Sequence, residues 1–541
     1  MSPPSGRIRA LPWAAVALIA MAAAATSFRN GFAYDDIAII ADNARVHSLS
    51  SWWTLFGSSY WPAAFGESLY RPLSMLSYAL QWTLGNGNPM FFHAVSIALF
   101  VLLAVAVLAL LREVLDERGA LVGGMLFAAH PVHTEAVANV VGQAELLAAI
   151  GVVGATTLYL RARRRGGPNV GQALGIAALY AGASLAKEHA LLLPLLIVAA
   201  ELLVCRDRSD GAPGRGRRGW LLLVLVLVGA SVLAARAAVL GSLFGEQNPV
   251  EMDLSTRIWT MFRVIPEWVR LLTWPAHLSA EYGPQQIEVV DGPGPWSILG
   301  VAFAAVALAA LVMSLSRERA LALGLVWLAI TFAPVSNLVS GVVLQERTLM
   351  LPSVGAMMVF GAAFRWLWRA ASTAPARRAI VAVVAMMAIL GVWRSAERNP
   401  VWRDNLTLFT QTVQDAPLSY RAHYVYGSEL FNVGRAAEGE RELRRAIALA
   451  RNDSDPYNFL AAKYREAKLY AQAIPLYRTA LEIRPRRPDA RFGLALSLLE
   501  SGDAPGALAH ADTGLANGQL KSYFEWVRTR ADSALRAQRV P

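Results

Sequence analysis

The sequence is poor in cysteine and in lysine. Cys205 is the single cysteine, which excludes internal disulfides, so any domain in an oxidising compartment must be stable without them. Lysine occurs only at Lys187, Lys463, Lys468 and Lys521, and arginine supplies the rest of the 50 basic residues. This arginine-heavy composition suggests GC-rich codons and hence a bacterial source.

Apolar residues, in contrast, are abundant. They make up 55% of the 541 positions and give a mean hydropathy of +0.39, too high for a soluble protein of this length. The net charge of +11 is concentrated in arginine clusters such as 161–165 and 206–218. Because each cluster lies between apolar runs, cytoplasmic membrane loops are favoured over a nucleic-acid patch, and no nucleic acid is expected as a partner.

Eleven apolar runs have the length and composition of membrane spans. They lie at 11–28, 91–111, 119–135, 141–160, 171–186, 190–205, 219–240, 296–314, 319–336, 350–368 and 379–394. A cytoplasmic N-terminus, indicated by Arg7 and Arg9, puts the arginine-rich loops inside and the C-terminal region outside. The first run could instead be a signal peptide. The segment 258–275 carries charges on one face and Pro266, and we interpret it as an interfacial or re-entrant helix.

The pattern changes near residue 396, which divides a membrane domain (1–395, first outer loop 29–90) from a second domain (396–541). Gly427, Ala461 and Ala495 are spaced by 34 residues, which predicts tetratricopeptide repeats at about 420–453, 454–487 and 488–521. The predicted fold class is all-α, a membrane helix bundle followed by an α-solenoid. The solenoid offers a groove for an acceptor peptide, and a structural cap or dimerisation surface is the alternative.

Ionisable residues collect at the predicted outer membrane boundary. They are Asp35, Asp36, His130, His133, Glu135, Lys187, Glu188, Glu346 and Arg347. Any single one could simply reach water from a span end, but their mixed signs on an arginine-poor face predict a shared polar cavity. In the first outer loop, a helix from Pro72 is expected to lie on the membrane, and Tyr70 and Arg71 at its start could hold a phosphate.

This layout suits a lipid-linked sugar donor, whose phosphate lies at the headgroup level. A carboxylate there can take a proton from an acceptor hydroxyl, while Arg347, Lys187 or His133 offsets the charge of the departing phosphate. A divalent metal held by Asp35, Asp36, His133 and Glu135 is possible too, but the spacing specifies no metal.

Several segments carry a family resemblance, in the same order along the chain. They are FAYDD, YRPLSMLSYAL, HPVHTEAVANVVGQAELL, LAKEHALLLPLL, TFAPVSNLV, QERTLMLPSVG and RNPVWRDNLTLF. The chain resembles the transmembrane and tetratricopeptide-repeat proteins, a family of GT-C type O-mannosyltransferases. The resemblance implies a GT-C fold and an inverting transfer from a polyprenyl-phosphate sugar to Ser or Thr of a protein. It also implies a catalytic carboxylate in the first outer loop, which is Asp35 or Asp36 here.

The combined expectation is a multi-pass glycosyltransferase of the cytoplasmic (inner) membrane, working with membrane lipids, a polyprenyl-phosphate-linked sugar and an acceptor protein. Its active site and repeats would face the periplasmic or extracytoplasmic side. Asp35 is the expected base, with Asp36 orienting it or binding a metal. The expected phosphate-binding residues are Arg71, Arg347 and Lys187, and the remaining cavity residues are Tyr70, His130, His133, Glu135, Glu188 and Glu346. The alternatives are a lipid or cell-envelope glycan acceptor, and a noncatalytic membrane-anchored scaffold.

Overall fold

The computed structural model describes residues 6–66, 68–205, 212–242, 253–283, 286–336, 344–518 and 520–538. Within these ranges the regular secondary structure is entirely helical, and no β-strand is present. Its contacts divide it into two compact units, Met1–Leu408 and Phe409–Pro541. Residues 206–211 of the arginine cluster at 206–218 lie outside the described residues.

The first unit is a bundle of fourteen described α-helices, with short 3-10 turns in several of the described connections. They are α1 (Gly6–Ala24), α2 (Pro72–Gly85), α3 (Pro89–Val114), α4 (Glu117–Ala129), α5 (Thr134–Ala138), α6 (Gln143–Arg164), α7 (Val170–Ala186), α8 (Leu193–Leu203), α9 (Ala212–Leu240), α10 (Leu254–Thr273), α11 (Pro295–Ser314), α12 (Arg319–Phe332), α13 (Met350–Ala370) and α14 (Ala374–Arg398).

Seven helical stretches in the described ranges are long and apolar enough to cross a membrane. They are Ala10–Arg29, Pro89–Val114, Val140–Arg164, Arg218–Leu240, Pro295–Ser314, Glu346–Ala370 and Ala374–Trp402. The prediction of a multi-pass, all-helical membrane protein is therefore confirmed. The other four predicted spans correspond to α4, α7, α8 and α12, which have 13, 17, 11 and 14 residues. The count of eleven spans therefore stays a prediction. Helix α10 is one helix with Pro266 inside it, and its interfacial or re-entrant placement also stays a prediction.

Glycines fix the position of α13, the helix that follows Arg347. A Cβ added at Gly361 would lie 2.7 Å from the carbonyl oxygen of Gly119 in α4, and one at Gly355 would lie 2.8 Å from that of Gly324 in α12. The helices therefore touch through their backbones, as small residues permit inside membranes. These backbone contacts fix the position of α13 against α4 and α12.

Helix α2 turns its polar side chains towards the protein. Ser74, Tyr78 and Gln81 are buried, and the first two donate hydrogen bonds to the carbonyls of Ala186 (3.0 Å) and Val141 (3.1 Å). The opposite side carries apolar residues, including Leu80 and Leu84, which are 47% and 66% exposed. The helix thus connects the first outer loop to α6 and α7 while presenting an apolar surface outwards.

The second unit consists of α15 (Asn405–Asp415), in which the division between units falls, followed by helix pairs. The pairs are α16 (Tyr420–Asn432) with α17 (Ala436–Leu449), α18 (Ser454–Glu466) with α19 (Tyr470–Ile483), and α20 (Pro488–Glu500) with α21 (Ala504–Ala516), before a last helix α22 (Lys521–Gln538). Leu460, Ala461, Ala473, Tyr477 and Ala480 are buried, as large and small repeat positions require. The predicted tetratricopeptide solenoid is confirmed.

Candidate active site

The adjacent residues Asp35 and Asp36 bond to different parts of the molecule. They follow Tyr34, whose φ of 57° lies in the left-handed region. The Asp36 side chain is fully buried and accepts hydrogen bonds from the backbone N–H groups of Val141 (2.8 Å) and Val140 (3.1 Å). Burial raises the pKa of Asp36 to about 7, although these N–H donors favour the ionised form. Asp36 therefore anchors the first outer loop to the start of α6.

Asp35 instead faces Arg347, which lies between two carboxylates. Arg347 Nη1 donates to Asp35 Oδ2 at 2.9 Å, and its Nε lies 3.5 Å from Glu135 Oε1. The backbone N–H of Arg347 also donates to Glu135 Oε2 at 2.9 Å. The three side chains are only 14%, 16% and 6% exposed in the order Asp35, Arg347, Glu135. Glu135 thus holds both the backbone and the guanidinium of Arg347, which in turn orients Asp35.

Lys187 lies in the turn between α7 and α8 and pairs with Glu145 of α6. Its Nζ hydrogen-bonds Glu145 Oε1, and His189 Nδ1 lies 3.6 Å from the other oxygen of that carboxylate. Burial lowers the pKa of Lys187 to about 8; the charges of Arg71 and Arg347 act in the same direction, and Glu145 opposes them. The two arginines therefore lie close enough to Lys187 to affect its ionisation.

Arg71, at the start of α2, forms a forked pair with Glu188. Its Nε contacts both carboxylate oxygens, at 3.2 and 3.1 Å, and its Nη2 donates to Oε2 at 2.9 Å. Arg236 of α9 reaches the same carboxylate at 3.4 Å. Burial would raise the pKa of Glu188, but the charge of Arg71 prevails and lowers it to about 2. The Arg71 guanidinium also lies 5.1 Å from the ring centre of buried Tyr60.

We call these eight groups the charged cluster. Its members are Asp35, Glu135, Glu145, Glu188, Arg71, Lys187, Arg236 and Arg347. Four carry negative and four carry positive charge when ionised. Such a buried set of opposite charges is typical of a polar functional site within a membrane protein. Chemically, it offers a carboxylate for proton transfer beside cations that can bind a phosphate.

Four other predicted site residues make their hydrogen bonds elsewhere. Tyr70 donates to the carbonyl of Phe56 at 2.9 Å. His130 Nε2 lies 3.2 Å from the carbonyl oxygen of Leu272, and His133 Nε2 lies 3.0 Å from Ser353 Oγ. Glu346 Oε1 accepts from Tyr282 Oη (2.5 Å) and from the backbone N–H of Ser279 (2.7 Å). Glu346 thereby ties the chain after α10 to the start of α13.

The set proposed for a metal does not assemble. Among the described residues, no three His, Cys, Asp or Glu side chains are grouped so that they could hold a metal ion. Asp36 is turned towards backbone N–H groups, and His133 packs against the Phe127 ring, with the ring centres 4.4 Å apart. Asp36 and His133 therefore make other contacts in this structure than those of a metal site shared with Asp35 and Glu135.

Sequence reasoning missed Glu145, Arg236 and Tyr60. Glu145 and Arg236 lie inside apolar runs that the sequence predicts as spans, at 141–160 and 219–240. An ionisable residue within a span is itself a signal of function, because burying an unpaired charge in lipid is costly. Tyr60 carried no such signal among the aromatic residues of the first outer loop.

The fold and the charged cluster together define a multi-pass, all-helical membrane protein with a tetratricopeptide domain. The tetratricopeptide-repeat profile matches residues 464–524. The chain is 26% identical to mouse protein O-mannosyl-transferase TMTC4 over 477 residues, covering 77% of this chain and 64% of that protein. It is 28% identical to human protein O-mannosyl-transferase TMTC1 over 520 residues, covering 84% and 57%. The resemblance found in the sequence motifs is confirmed, and the chain spans less than two thirds of the length of these relatives.

Among solved structures, the chain is similar to the oligosaccharyltransferase of Archaeoglobus fulgidus in its apo form. The TM-score is 0.44 at 14% identity, with 77% of this chain and 59% of that chain covered. The archaeal oligosaccharyltransferase AglB from the same organism, in complex with an inhibitory peptide and a dolichol-phosphate, gives a TM-score of 0.43, with 76% of this chain and 59% of that chain covered.

Proposed function

We propose that this chain is a membrane glycosyltransferase that moves a sugar, mannose, from a polyprenyl-phosphate donor to serine or threonine hydroxyls of proteins. The observation that carries the proposal is the contact of Asp35 with Arg347 inside the charged cluster, where Arg71 and Lys187 supply further positive charge. The similarity to protein O-mannosyl-transferases supports the choice of reaction and sugar.

In this proposal Asp35 is the general base. It takes the proton of the acceptor hydroxyl while the hydroxyl oxygen attacks the anomeric carbon of the donor sugar. The bond between that carbon and the phosphate oxygen breaks, and polyprenyl phosphate leaves with the electron pair. Attack on the face opposite to the phosphate inverts the configuration of the sugar. Arg347 orients Asp35, and Glu135 positions Arg347.

Arg71 and Lys187 are the proposed ligands of the donor phosphate. The forked guanidinium of Arg71 suits two phosphate oxygens, and both cations lie where negative charge develops on the leaving group. Each is paired with a carboxylate in this structure, Arg71 with Glu188 and Lys187 with Glu145. The donor phosphate would therefore replace or share the contacts of Glu188 with Arg71.

The proposed location is the cytoplasmic membrane, with the charged cluster and the repeats on the extracytoplasmic side. Helix α6 supports this orientation, because Glu145 lies in its first turn and Arg161, Arg163 and Arg164 lie in its last. The arginines and the cluster are thus at opposite ends of one apolar helix, and arginine-rich ends face the cytoplasm. The repeats would then present acceptor protein on the same side as the active site.

The test compares three aspartates of the first outer loop. We expect Asp35→Asn to lower mannose transfer in isolated membranes by about 10²- to 10⁴-fold at normal protein abundance, since a general base contributes about that much. Asp42→Asn is the matched control, because Asp42 is exposed in the same loop. Asp36→Asn should lower stability and abundance instead. Wild-type activity in the Asp35→Asn variant, at normal abundance, would exclude the mechanism.

A further inference from the structure

An apolar groove opens on the side of the first unit, apart from the charged cluster. It has a volume of about 280 Å³ and is lined by α4, α13 and α14, by His130 and Pro131 just after α4, and by the end of α10 with the chain that follows it. Its apolar walls are formed chiefly by Leu126, Met357, Phe360, Met387, Leu390 and Trp393. None of the eight cluster residues is among those that line it. A volume just below the range of about 300–1,000 Å³ typical of ligand pockets suits one flexible chain better than a bulky molecule.

The groove is continuous with the lipid-facing surface of α14. Trp393 and Leu390, which line the groove, are 61% and 36% exposed, and their neighbours Ile389 and Met386 are 64% and 56% exposed. Because α14 is long and apolar enough to span the membrane, we expect these exposed apolar side chains to face hydrocarbon. A molecule that fills the groove therefore enters from the bilayer, which indicates a lipid.

One end of the groove is polar and carries both signs of charge. Arg394 and Glu397, in the last turns of α14, line this end, and Arg394 Nη1 lies 3.0 Å from Glu397 Oε2. Arg394 Nε also donates to the carbonyl of Ala276 at 3.0 Å, which fixes the guanidinium. Trp274 is 59% exposed beside them, and tryptophan near a span end marks the headgroup level of a membrane.

We propose that this groove binds a zwitterionic glycerophospholipid of the phosphatidylethanolamine class. One acyl chain lies along the apolar walls, the phosphate contacts Arg394, and the ammonium contacts Glu397. An adjacent cation and anion complement a headgroup that carries both charges, whereas an anionic headgroup could contact Arg394 but would bring no ammonium group to Glu397. None of the residues proposed as base or as phosphate ligands lines this groove.

The test measures lipid binding to the delipidated full-length protein in detergent by native mass spectrometry. The probes are dioleoyl phosphatidylethanolamine and dioleoyl phosphatidylglycerol. We expect the wild type to bind the ethanolamine lipid more tightly, and Arg394→Gln to weaken that binding about tenfold, as loss of a charge-assisted contact predicts. Arg378→Gln, on an exposed arginine near the other end of α14, is the charge control.

A second pair of variants tests the groove itself. Leu390→Trp fills it, whereas Ile389→Trp places the same ring on the adjacent lipid-facing position, so only the former should reduce ethanolamine-lipid binding. Thermal melting of both variants checks their folding, and Arg394→Gln tests the proposal if Leu390→Trp does not fold. Equal binding of the two lipids by the wild type would overturn the proposal. So would equal effects of the two tryptophan variants, or displacement of the ethanolamine lipid by undecaprenyl phosphate, which would assign the groove to an isoprenoid.

Discussion

Arg347 separates two buried carboxylates, and its removal should expose how strongly the site depends on charge balance. In Arg347→Gln, Asp35 and Glu135 lose the guanidinium that contacts them at 2.9 and 3.5 Å. All three side chains are at most 16% exposed, so solvent screens the remaining charges poorly. Breaking a buried ion pair by removing one partner costs about 3–5 kcal/mol. We expect a loss of that order in the unfolding free energy, together with loss of sugar transfer.

The double variant Glu135→Gln/Arg347→Gln gives the sharper measurement. It removes the Glu135 carboxylate along with the cation, so Asp35 is left without a second negative charge beside it. The loss of unfolding free energy should therefore be smaller than the sum of the losses in the two single variants, by about 0.5–3 kcal/mol. Apparent melting temperatures in one detergent, followed by tryptophan fluorescence, report the differences. Arg403→Gln is the control, because Arg403 and its partner Asp404 are 62% and 46% exposed and such a pair contributes at most about 1 kcal/mol. Wild-type stability of Arg347→Gln, or strictly additive effects, would refute the reasoning.

Three further predictions concern pH, packing and topology. Because the pKa of Asp36 is raised from 3.8 to about 7, the folded state holds a proton that the unfolded state releases between these values. This group therefore lowers the unfolding free energy as pH rises from about 4 to 7, by about 1.4 kcal/mol per pH unit, and comparing melting at pH 4.5 and 7.5 should show a smaller decline in Asp36→Asn than in the wild type. Gly361→Ala should destabilise the bundle by about 1–3 kcal/mol in thermal unfolding, since its Cβ would lie 2.5 Å from a Leu115 methyl, whereas Gly219→Ala has open space and should not. In a cysteine-free background, Asn452→Cys should react with an impermeant reagent in intact cells and Ala212→Cys should not; the opposite labelling would reverse the proposed orientation.

The sequence predicted which ionisable residues lie close together better than it predicted the directions of their side chains. Asp35 and Asp36 were expected together, but one faces Arg347 and the other faces backbone N–H groups. Adjacent positions in the sequence carry no information on this difference, which depends on the positive φ of Tyr34 and on the approach of Val140.

The repeats were predictable because their period is a local property of the sequence. Where the pattern departs from consensus, packing gives the reason. Gly439 replaces the usual alanine of its repeat, and a Cβ there would lie 2.8 Å from the carbonyl oxygen of Gly427 and 2.6 Å from the Phe431 ring. In the third repeat Arg491 occupies an aromatic position and donates from Nη2 to the carbonyl of Pro485. The 34-residue spacing identifies these repeat positions. It does not predict the local contacts that allow a residue other than the consensus one at such a position.

The charged cluster is balanced before any donor arrives, with Arg71, Lys187, Arg236 and Arg347 opposite four carboxylates. An incoming phosphate diester adds one negative charge, and in a poorly hydrated site that surplus is relieved most cheaply by protonating a neighbour. Donor binding should therefore be accompanied by proton uptake. In titration calorimetry this would make the heat of binding depend on the ionisation enthalpy of the buffer.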